Sequence, residues 1–223
     1  MNVLEIQSLI FQSDIREVTK DFSLNSVVNI SGADLQSRIN FLKCLGGAIN
    51  PISGNILYKK MNIHTFKKSY FKNGRVFIDQ EFNFCYNKSL FLTKYKKNIK
   101  NNRTVWQNLK SFSKLNKNEE FVYAAVHYFL FHDIVDKKVS SLEECEKELL
   151  KISTAMFFEN IDFWIIFIDD TKIKDEADIK ILRHLLHSRA SDCDGIVFYA
   201  TYTNNSINVP NEQMLVLEKQ LQK

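Results

Sequence analysis

Hydrophobic positions in the first 60 residues have the spacing of strands and then the spacing of a helix. The segments "VLEIQSLIF" (3–11) and "SVVNISG" (26–32) have the alternating, β-branched character of strands. Over residues 35–45 apolar side chains recur at helical intervals until a Gly-Gly pair ends the pattern. A turn with Pro and Gly then precedes "NILYK" (55–59). The pattern predicts strand, loop, helix, turn and strand.

The second half of the chain alternates between helical patterns and continuous apolar runs. Helical spacing is found in three segments, residues 104–115, 119–134 and 140–158. We expect Ser140 to begin the last of these helices, because a hydroxyl followed by Glu residues suits a helix N-terminus. The runs "FWIIFIDD" (163–170) and "GIVFYATYT" (195–203) are typical of buried parallel strands, with a helix at 175–190 between them. This order favours an α/β fold.

Composition and charge fit one globular domain of ordinary character. The 223 residues are 45% hydrophobic and 25% charged, and a net charge of +4 is too small to indicate nucleic acid by itself. Glu5 and Gln7 interrupt the first apolar run, so we expect no signal peptide. The best apolar run, "FWIIFI", is far shorter than the roughly 18 residues that cross a bilayer. Any role at a membrane therefore needs a partner that spans it.

The cysteines and the basic segment in the middle of the chain leave function more open. The 4 cysteines are scattered without metal-ligand spacing, which favours a reducing compartment over a zinc site or a disulfide framework. Residues 86–103 include "TKYKKNIKNNR" and predict a basic insertion, for which disorder is one interpretation and a binding patch another. Use of residues 93–103 to bind nucleic acid is a third hypothesis for function, which we do not favour.

Four segments together resemble a known family. They are Gly32-Ala33 with "GGAINPISGNILYK" downstream, "TVWQNLKSFSKL", "YAAVHYFLFHDIVDKKVSSL" and "GIVFYATY". On these segments the chain resembles the ATP-binding subunits of ABC transporters, and more narrowly the subunit of the haem exporter used in cytochrome c maturation. The resemblance extends over nearly the whole chain. It implies a single domain, residues 1–223, with an ABC-type P-loop nucleotide-binding fold.

The resemblance also implies an architecture and a function. The fold is α/β, with a mainly parallel sheet, an N-terminal antiparallel β portion and a helical subdomain at about residues 104–158. The subunit couples binding and hydrolysis of ATP, with Mg²⁺, to a membrane-spanning partner, and it forms a homodimer. It lies as a peripheral protein on the cytoplasmic or organelle-matrix face of the inner membrane and binds no nucleic acid. The alternative is a catalytically degenerate scaffold that binds the membrane subunit without ATP turnover.

The family's phosphate loop, G-x-x-x-x-G-K-[ST], matches this chain without a gap. It falls on Gly32, Ala33, Asp34, Leu35, Gln36, Ser37, Arg38 and Ile39. Leu35 and Ser37 replace glycines, and left-handed geometry at each would cost about 1–2 kcal/mol. Arg38 keeps a positive charge in place of Lys, whereas Ile39 offers no ligand to Mg²⁺. We expect weak nucleotide binding through Gly32, Arg38 and the helix N-terminus; a plain strand-to-helix turn is the alternative.

Three further residues match catalytic positions of the family. Asp169 corresponds to the Mg²⁺-side Asp at the end of the hydrophobic strand, and Asp170 replaces the Glu that orients the attacking water. Tyr202 stands in place of the switch histidine, whose two-sided hydrogen bonding a phenol does not reproduce. The fold then predicts that the strands ending near Ile30 and Ile168 are neighbours and end at the same sheet edge.

Two more positions are assigned by the resemblance with an open alternative for each. Gln80 matches the glutamine that senses Mg²⁺ and contacts the membrane subunit, or it is a surface residue beyond a strand. Ser140 and Ser141 match the start of the signature motif that completes the opposite nucleotide site in the dimer, although no Gly or Gln follows them. A helix cap is the other interpretation of Ser140.

Overall fold

The computed structural model describes residues 2–46, 49–64, 74–78, 83–87, 95–113, 119–154, 161–191 and 195–220. The strands in these ranges are β1 (Asn2–Ile10), β2 (Val18–Ser23), β3 (Ser26–Gly32), β4 (Ser53–Tyr58), β5 (Met61–Asn62), β6 (Gly74–Ile78), β7 (Asn83–Asn87), β8 (Tyr95–Asn98), β9 (Ile161–Ile168), β10 (Ile196–Thr201) and β11 (Gln213–Leu217). The helices are α1 (Leu35–Leu45), α2 (Val105–Ser113), α3 (Glu120–Tyr128), α4 (Glu144–Ser153) and α5 (Glu176–Ser191), with 3-10 turns at Phe131–Asp133 and Val139–Ser141.

The strands form two sheets, as the predicted architecture requires. The smaller sheet has the order β2-β1-β4-β5, and all its pairs are antiparallel. The larger sheet has the order β11-β3-β10-β9-β6-β7-β8. Its pairs are parallel from β11 to β6, and β7 and β8 extend it as an antiparallel edge. The predicted α/β fold with an N-terminal antiparallel portion is confirmed.

Strand β9 is a continuous apolar run because both faces of the larger sheet are covered. Successive side chains of a strand point to opposite faces. Phe163, Ile165 and Phe167 pack into a core with the antiparallel sheet and α1. Trp164, Ile166 and Ile168 pack into a second core with α2–α5. The fold therefore has three layers. Because its central strands run parallel, their carboxyl ends lie at one edge of the larger sheet.

The order of the central strands differs from the expectation. The strands ending near Ile30 and Ile168 are not direct neighbours, because β10 lies between β3 and β9. All six residues of β10 are buried, so the central position suits it, but an apolar run by itself carries no information on strand order. Since the three strands run parallel, Gly32 and Asp169 still lie at the same edge, as expected.

The helical segment also differs in detail from the predicted bounds. Ser140 does not begin a helix: it is exposed in a 3-10 turn, and α4 begins at Glu144. Glu143 and Glu146 form a capping box there, in which each carboxylate accepts a hydrogen bond from the backbone N of the other residue. These carboxylates take the capping role that we expected of the Ser140 hydroxyl. Helix α3 ends at Tyr128, before the left-handed Leu130, so the prediction over 119–134 was too long.

Parts of the predicted organisation remain predictions. In the basic insertion at 86–103, residues 95–98 form β8 at the edge of the larger sheet, while residues 88–94 lie outside the described residues. Helices α2–α4 fall within 104–158, and their division from the rest as a subdomain stays a prediction. In the part of the chain that the structure describes, no helix is both long and apolar enough to span a bilayer.

Helix α4 carries two ion pairs with the same spacing but opposite exposure. Glu148 and Lys151 are 1% and 2% exposed, and Glu148 also accepts a hydrogen bond of 2.9 Å from the backbone N of Asp169. Burial lowers the pKa of Lys151, and the carboxylate of Glu148 opposes that shift. Glu144 and Lys147 form the second pair at 2.7 Å on the exposed face. The buried pair therefore joins α4 to the end of β9.

We expect Glu148→Ala to lower the free energy of unfolding by about 3–5 kcal/mol, because it leaves the Lys151 ammonium buried without its carboxylate. Glu144→Ala removes the matched exposed pair and is expected to cost about 1 kcal/mol or less. Urea unfolding of both variants measures the difference. Equal losses would show that burial does not set the strength of these pairs.

Candidate functional site

Strands β3, β10 and β9 end side by side, and the residues that follow them form the candidate site. The backbone N of Tyr202, after β10, donates to the carbonyl of Ile168 at 2.9 Å. The backbone N of Gly32, at the end of β3, donates to the side-chain oxygen of Asn204 at 2.9 Å. The structure thus brings the first residue of the predicted loop, Tyr202 and the segment after Ile168 to one edge.

Gly32 is required by backbone geometry and by the approach of β11. Its φ is +75°, and a Cβ atom would lie 2.4 Å from the carbonyl oxygen of Leu217. Ala33, which follows, also has a positive φ of 43°. The glycine that survives from the loop motif therefore has a structural role that needs no ligand.

Neither Leu35 nor Ser37 takes the left-handed geometry that the glycines of a phosphate-binding loop allow. Both residues are helical, because α1 begins at Leu35 and only Ala33 and Asp34 separate it from β3. L-residues adopt the helical conformation without the cost that a phosphate-binding loop would impose on them. The helix therefore extends into the sequence of the loop, and the left-handed backbone falls on Gly32 and Ala33 instead.

Asp34 places a carboxylate at the N-terminus of α1. Its Oδ1 accepts a hydrogen bond of 2.8 Å from the backbone N of Ser37, and its Oδ2 lies 2.7 Å from Nζ of Lys219. Lys219 and then Ser37 hold the pKa of Asp34 well below its usual range. This end of a helix attracts anions, and here it already holds one that belongs to the chain.

Arg38 is buried and uses its guanidinium to join two strand ends. The side chain is 3% exposed. Nη1 donates to the carbonyls of Gly32 and Ala33 at 3.1 and 3.3 Å, and Nη2 donates to those of Thr201 and Tyr202 at 3.2 and 3.0 Å. Burial lowers the pKa of Arg38, against the opposing charges of nearby carboxylates. The cation expected to meet phosphate thus holds the loop to the end of β10.

The remaining loop residues offer little to a metal ion. Ile39 is 3% exposed and belongs to the core around α1. Ser37 is fully buried, and its hydroxyl accepts a hydrogen bond of 3.2 Å from Nε2 of Gln12. Gln36 is exposed and donates to Asn40 at 2.9 Å. Among the residues that the structure describes, no cluster of His, Cys, Asp or Glu has the arrangement of a metal site.

The two strand-end carboxylates turn to different partners. Asp169 accepts from the hydroxyl of Thr171 at 2.6 Å and pairs with Nζ of Lys172 at 3.1 Å. Burial acts to raise the pKa of Asp169, but Thr171 and Lys172 outweigh it and the pKa is lowered. Asp170 instead accepts hydrogen bonds from Thr203, at 2.9 Å from the backbone N and also from the hydroxyl. Each carboxylate is therefore bound within the chain.

Two predicted groups of site residues remain apart from these contacts. Ser140 and Ser141 are exposed, and the Ser141 hydroxyl donates to the carbonyl of Lys138 at 2.8 Å. No hydrogen bond between described residues joins this turn to the loop at 32–39, so the signature role stays a prediction. Gln80 lies outside the described residues, and its role also stays a prediction. The phenol of Tyr202 is 48% exposed.

Sequence reasoning missed the partners that complete this edge. Lys172 follows the carboxylate pair closely, and an alternating-charge reading of that loop would have suggested an internal ion pair. Thr203 directly follows the switch position, where a hydroxyl gives no distinctive signal. Lys219 comes from the far end of the chain, and no local pattern could have connected it to Asp34.

The residues at this edge do not fit tightly bound MgATP. An ionised Asp34 occupies the helix N-terminus, and the Nη1 and Nη2 donors of Arg38 point to carbonyls. Ile39 has no oxygen for Mg²⁺, which prefers oxygen ligands. Asp169 is paired with an ammonium group where a metal would require an available carboxylate. A nucleotide would have to displace several of these internal contacts.

Comparisons with known proteins agree on one kind of protein. No family model matches the chain. The cytochrome c biogenesis ATP-binding export protein CcmA of Rickettsia conorii is 26% identical, with 92% of this chain and 95% of the relative covered. CcmA of Rickettsia felis is also 26% identical, over 93% and 95% of the two chains.

Solved structures show the same fold at lower identity. A putative ABC transporter ATP-binding protein from Pyrococcus furiosus has a TM-score of 0.71 and 18% identity, with 96% of each chain covered. The cbiO1 protein from Clostridium perfringens, part of an ABC transporter complex, has a TM-score of 0.66 and 17% identity, over 99% of this chain and 87% of the other. The chain therefore has the fold of an ABC ATP-binding domain, and its sequence is similar over almost its whole length to the CcmA proteins of cytochrome c biogenesis.

Proposed function

We propose that the chain is the ATP-binding subunit of a haem-exporter-type ABC transporter in cytochrome c biogenesis. The observation that carries this proposal is the similarity to proteins named CcmA along 92–93% of the chain. The two-sheet fold supports it, since the same architecture is found in ATP-binding components of ABC transporters.

In this function the chain docks on a membrane-spanning subunit and couples ATP binding and hydrolysis to it. It acts as a homodimer and as a peripheral protein on the cytoplasmic or organelle-matrix face of the inner membrane. Docking uses the outer surface of the fold. The contacts of Asp34, Arg38 and Ile39 support weak nucleotide binding that depends little on Mg²⁺.

A second candidate function is a scaffold that binds the membrane subunit without ATP turnover. The names of the relatives do not favour it, because they describe ATP-binding proteins. The contacts of the strand-end carboxylates do favour it: Asp169 is paired with Lys172, and both oxygens of Asp170 accept from Thr203. The two functions share the docking step and differ in whether Asp169 would hold Mg²⁺ and Asp170 would orient the water that attacks ATP.

Docking is tested by co-expression with the membrane-spanning export subunit from the same genome. We expect the tagged chain to co-purify with that subunit in detergent, in a complex that contains two copies of the chain. A membrane subunit of an unrelated ABC importer, expressed at the same level, serves as the control and should not be retained. Failure to retain the export subunit, with a folded chain, would contradict the proposed function.

Asp170→Asn separates the two candidate functions in that purified complex. For an ATPase we expect the substitution to abolish ATP hydrolysis and cytochrome c maturation while the complex remains intact, because the resemblance assigns the attacking water to this carboxylate. For a scaffold we expect maturation to be unchanged. Titration of the same complex with ATP, with and without Mg²⁺, measures the affinity and its dependence on the metal.

Thr203→Val is the matched control for Asp170→Asn. It removes the hydroxyl that Asp170 accepts from but leaves the carboxylate in place. If both substitutions impair maturation equally, the contact between the two side chains is what matters and the catalytic role of Asp170 is wrong.

In the titration with ATP, a micromolar affinity that strictly requires Mg²⁺ would contradict the weak nucleotide site described above.

A further inference from the structure

The anion position at the N-terminus of α1 is filled by a group of the chain itself. A phosphate-binding helix presents free backbone N–H groups and the positive end of its dipole to the ligand. In this chain the carboxylate of Asp34 accepts from the N–H of Ser37 and pairs with the ammonium of Lys219. These are the types of partner that a phosphate oxygen would take.

We propose that Asp34 is an internal substitute for phosphate, which competes with a nucleotide phosphate for the N-terminus of α1 and weakens its binding there. Removing the charge of Asp34 then strengthens anion binding at this helix end. The inference depends on the contacts around α1 and not on the proposed docking partner. It explains by one position the part of the poor fit to nucleotide that concerns the helix N-terminus.

Electrostatics support competition between Asp34 and an incoming phosphate. The lowered pKa keeps Asp34 ionised throughout the neutral range. A phosphate that approached Ser37 would meet this negative charge at close range, and like charges at such a distance repel. Because Lys219 is already neutralised by Asp34, it adds little attraction for a second anion.

The backbone at Lys219 is held in place by contacts that do not involve Asp34. It forms an antiparallel bridge with Ile15. On either side, the backbone N of Arg16 donates to the carbonyl of Glu218 at 2.8 Å, and that of Gln220 donates to the carbonyl of Asp14 at 2.8 Å. When Asp34 is neutralised, the ammonium of Lys219 therefore stays within reach of the helix N-terminus as a cation without its partner.

Arg38 keeps the turn in place when Asp34 is changed. Its four hydrogen bonds to carbonyls join the turn between β3 and α1 to the end of β10. The buried guanidinium also adds positive charge under the position that Asp34 would vacate. An opened site is therefore expected to be cationic and to retain its shape.

The test compares Asp34→Asn and Asp34→Gly with the unchanged full-length chain. Asn keeps an oxygen that can cap α1 but removes the charge, and Gly removes the side chain at a position where it is tolerated. Asp136→Asn is the control: it makes the same change of charge at an exposed residue far along the chain from α1. Inorganic tripolyphosphate without metal is the probe, titrated by calorimetry and followed by thermal unfolding.

We expect both Asp34 variants to bind tripolyphosphate about tenfold or more tightly than the unchanged chain, with a matching rise in unfolding temperature. Asp136→Asn should behave as the unchanged chain does. Replacing Lys219 by Met in the Asp34→Asn background should remove most of the gain. If Asp34→Gly fails to fold, Asp34→Asn decides, since it keeps the helix cap.

Two results would overturn the inference. One is that the unchanged chain binds tripolyphosphate as tightly as the variants do. This result would show that Asp34 does not compete with phosphate. The other is a folded Asp34→Asn variant that gains no affinity. Either result leaves the docking experiment untouched, so the two proposals fail separately.

Discussion

The buried guanidinium of Arg38 is the group on which the arrangement of the strand edge depends. A buried cation needs acceptors, and four backbone carbonyls at two strand ends accept hydrogen bonds from Nη1 and Nη2, whereas Nε has no partner among the described residues. These carbonyls converge only if β3 and β10 are adjacent and parallel and end at the same level. Helix α1 must also begin at Leu35, since Arg38 reaches the turn from the first turns of this helix.

The same principle governs the other charged groups of the edge. Asp34 is paired with Lys219, Asp169 with Lys172, and Asp170 accepts from Thr203. Each group has a partner within the chain, so the fold does not need a nucleotide to balance these charges. These internal contacts are what the proposed weak binding of nucleotide would have to overcome. Fold and site chemistry are separate properties, as they are in many protein families.

How far the sequence predicts this structure depends on whether a feature is local. The apolar run of β9 identifies a buried strand, because both its faces are covered. The loop motif correctly locates the turn at Gly32, and an Asp before a helical pattern is a readable cap. The family motif nevertheless gives no sign that α1 begins at Leu35, within the sequence that matches the loop. The ion pair between Asp34 and Lys219 cannot be predicted from a local pattern, because the two residues lie near opposite ends of the sequence.

The free energy of unfolding of Arg38→Met, measured in urea without nucleotide, tests the central claim most directly. If Arg38 is a structural clamp, the variant should lose about 3 kcal/mol or more, because four carbonyls lose a charged donor in a buried place. Arg16→Met removes an exposed pair with Glu218, with side chains 53% and 58% exposed, and should cost about 1 kcal/mol or less. An Arg38→Met variant as stable as the unchanged chain would contradict this account and return Arg38 to the role of a ligand for phosphate.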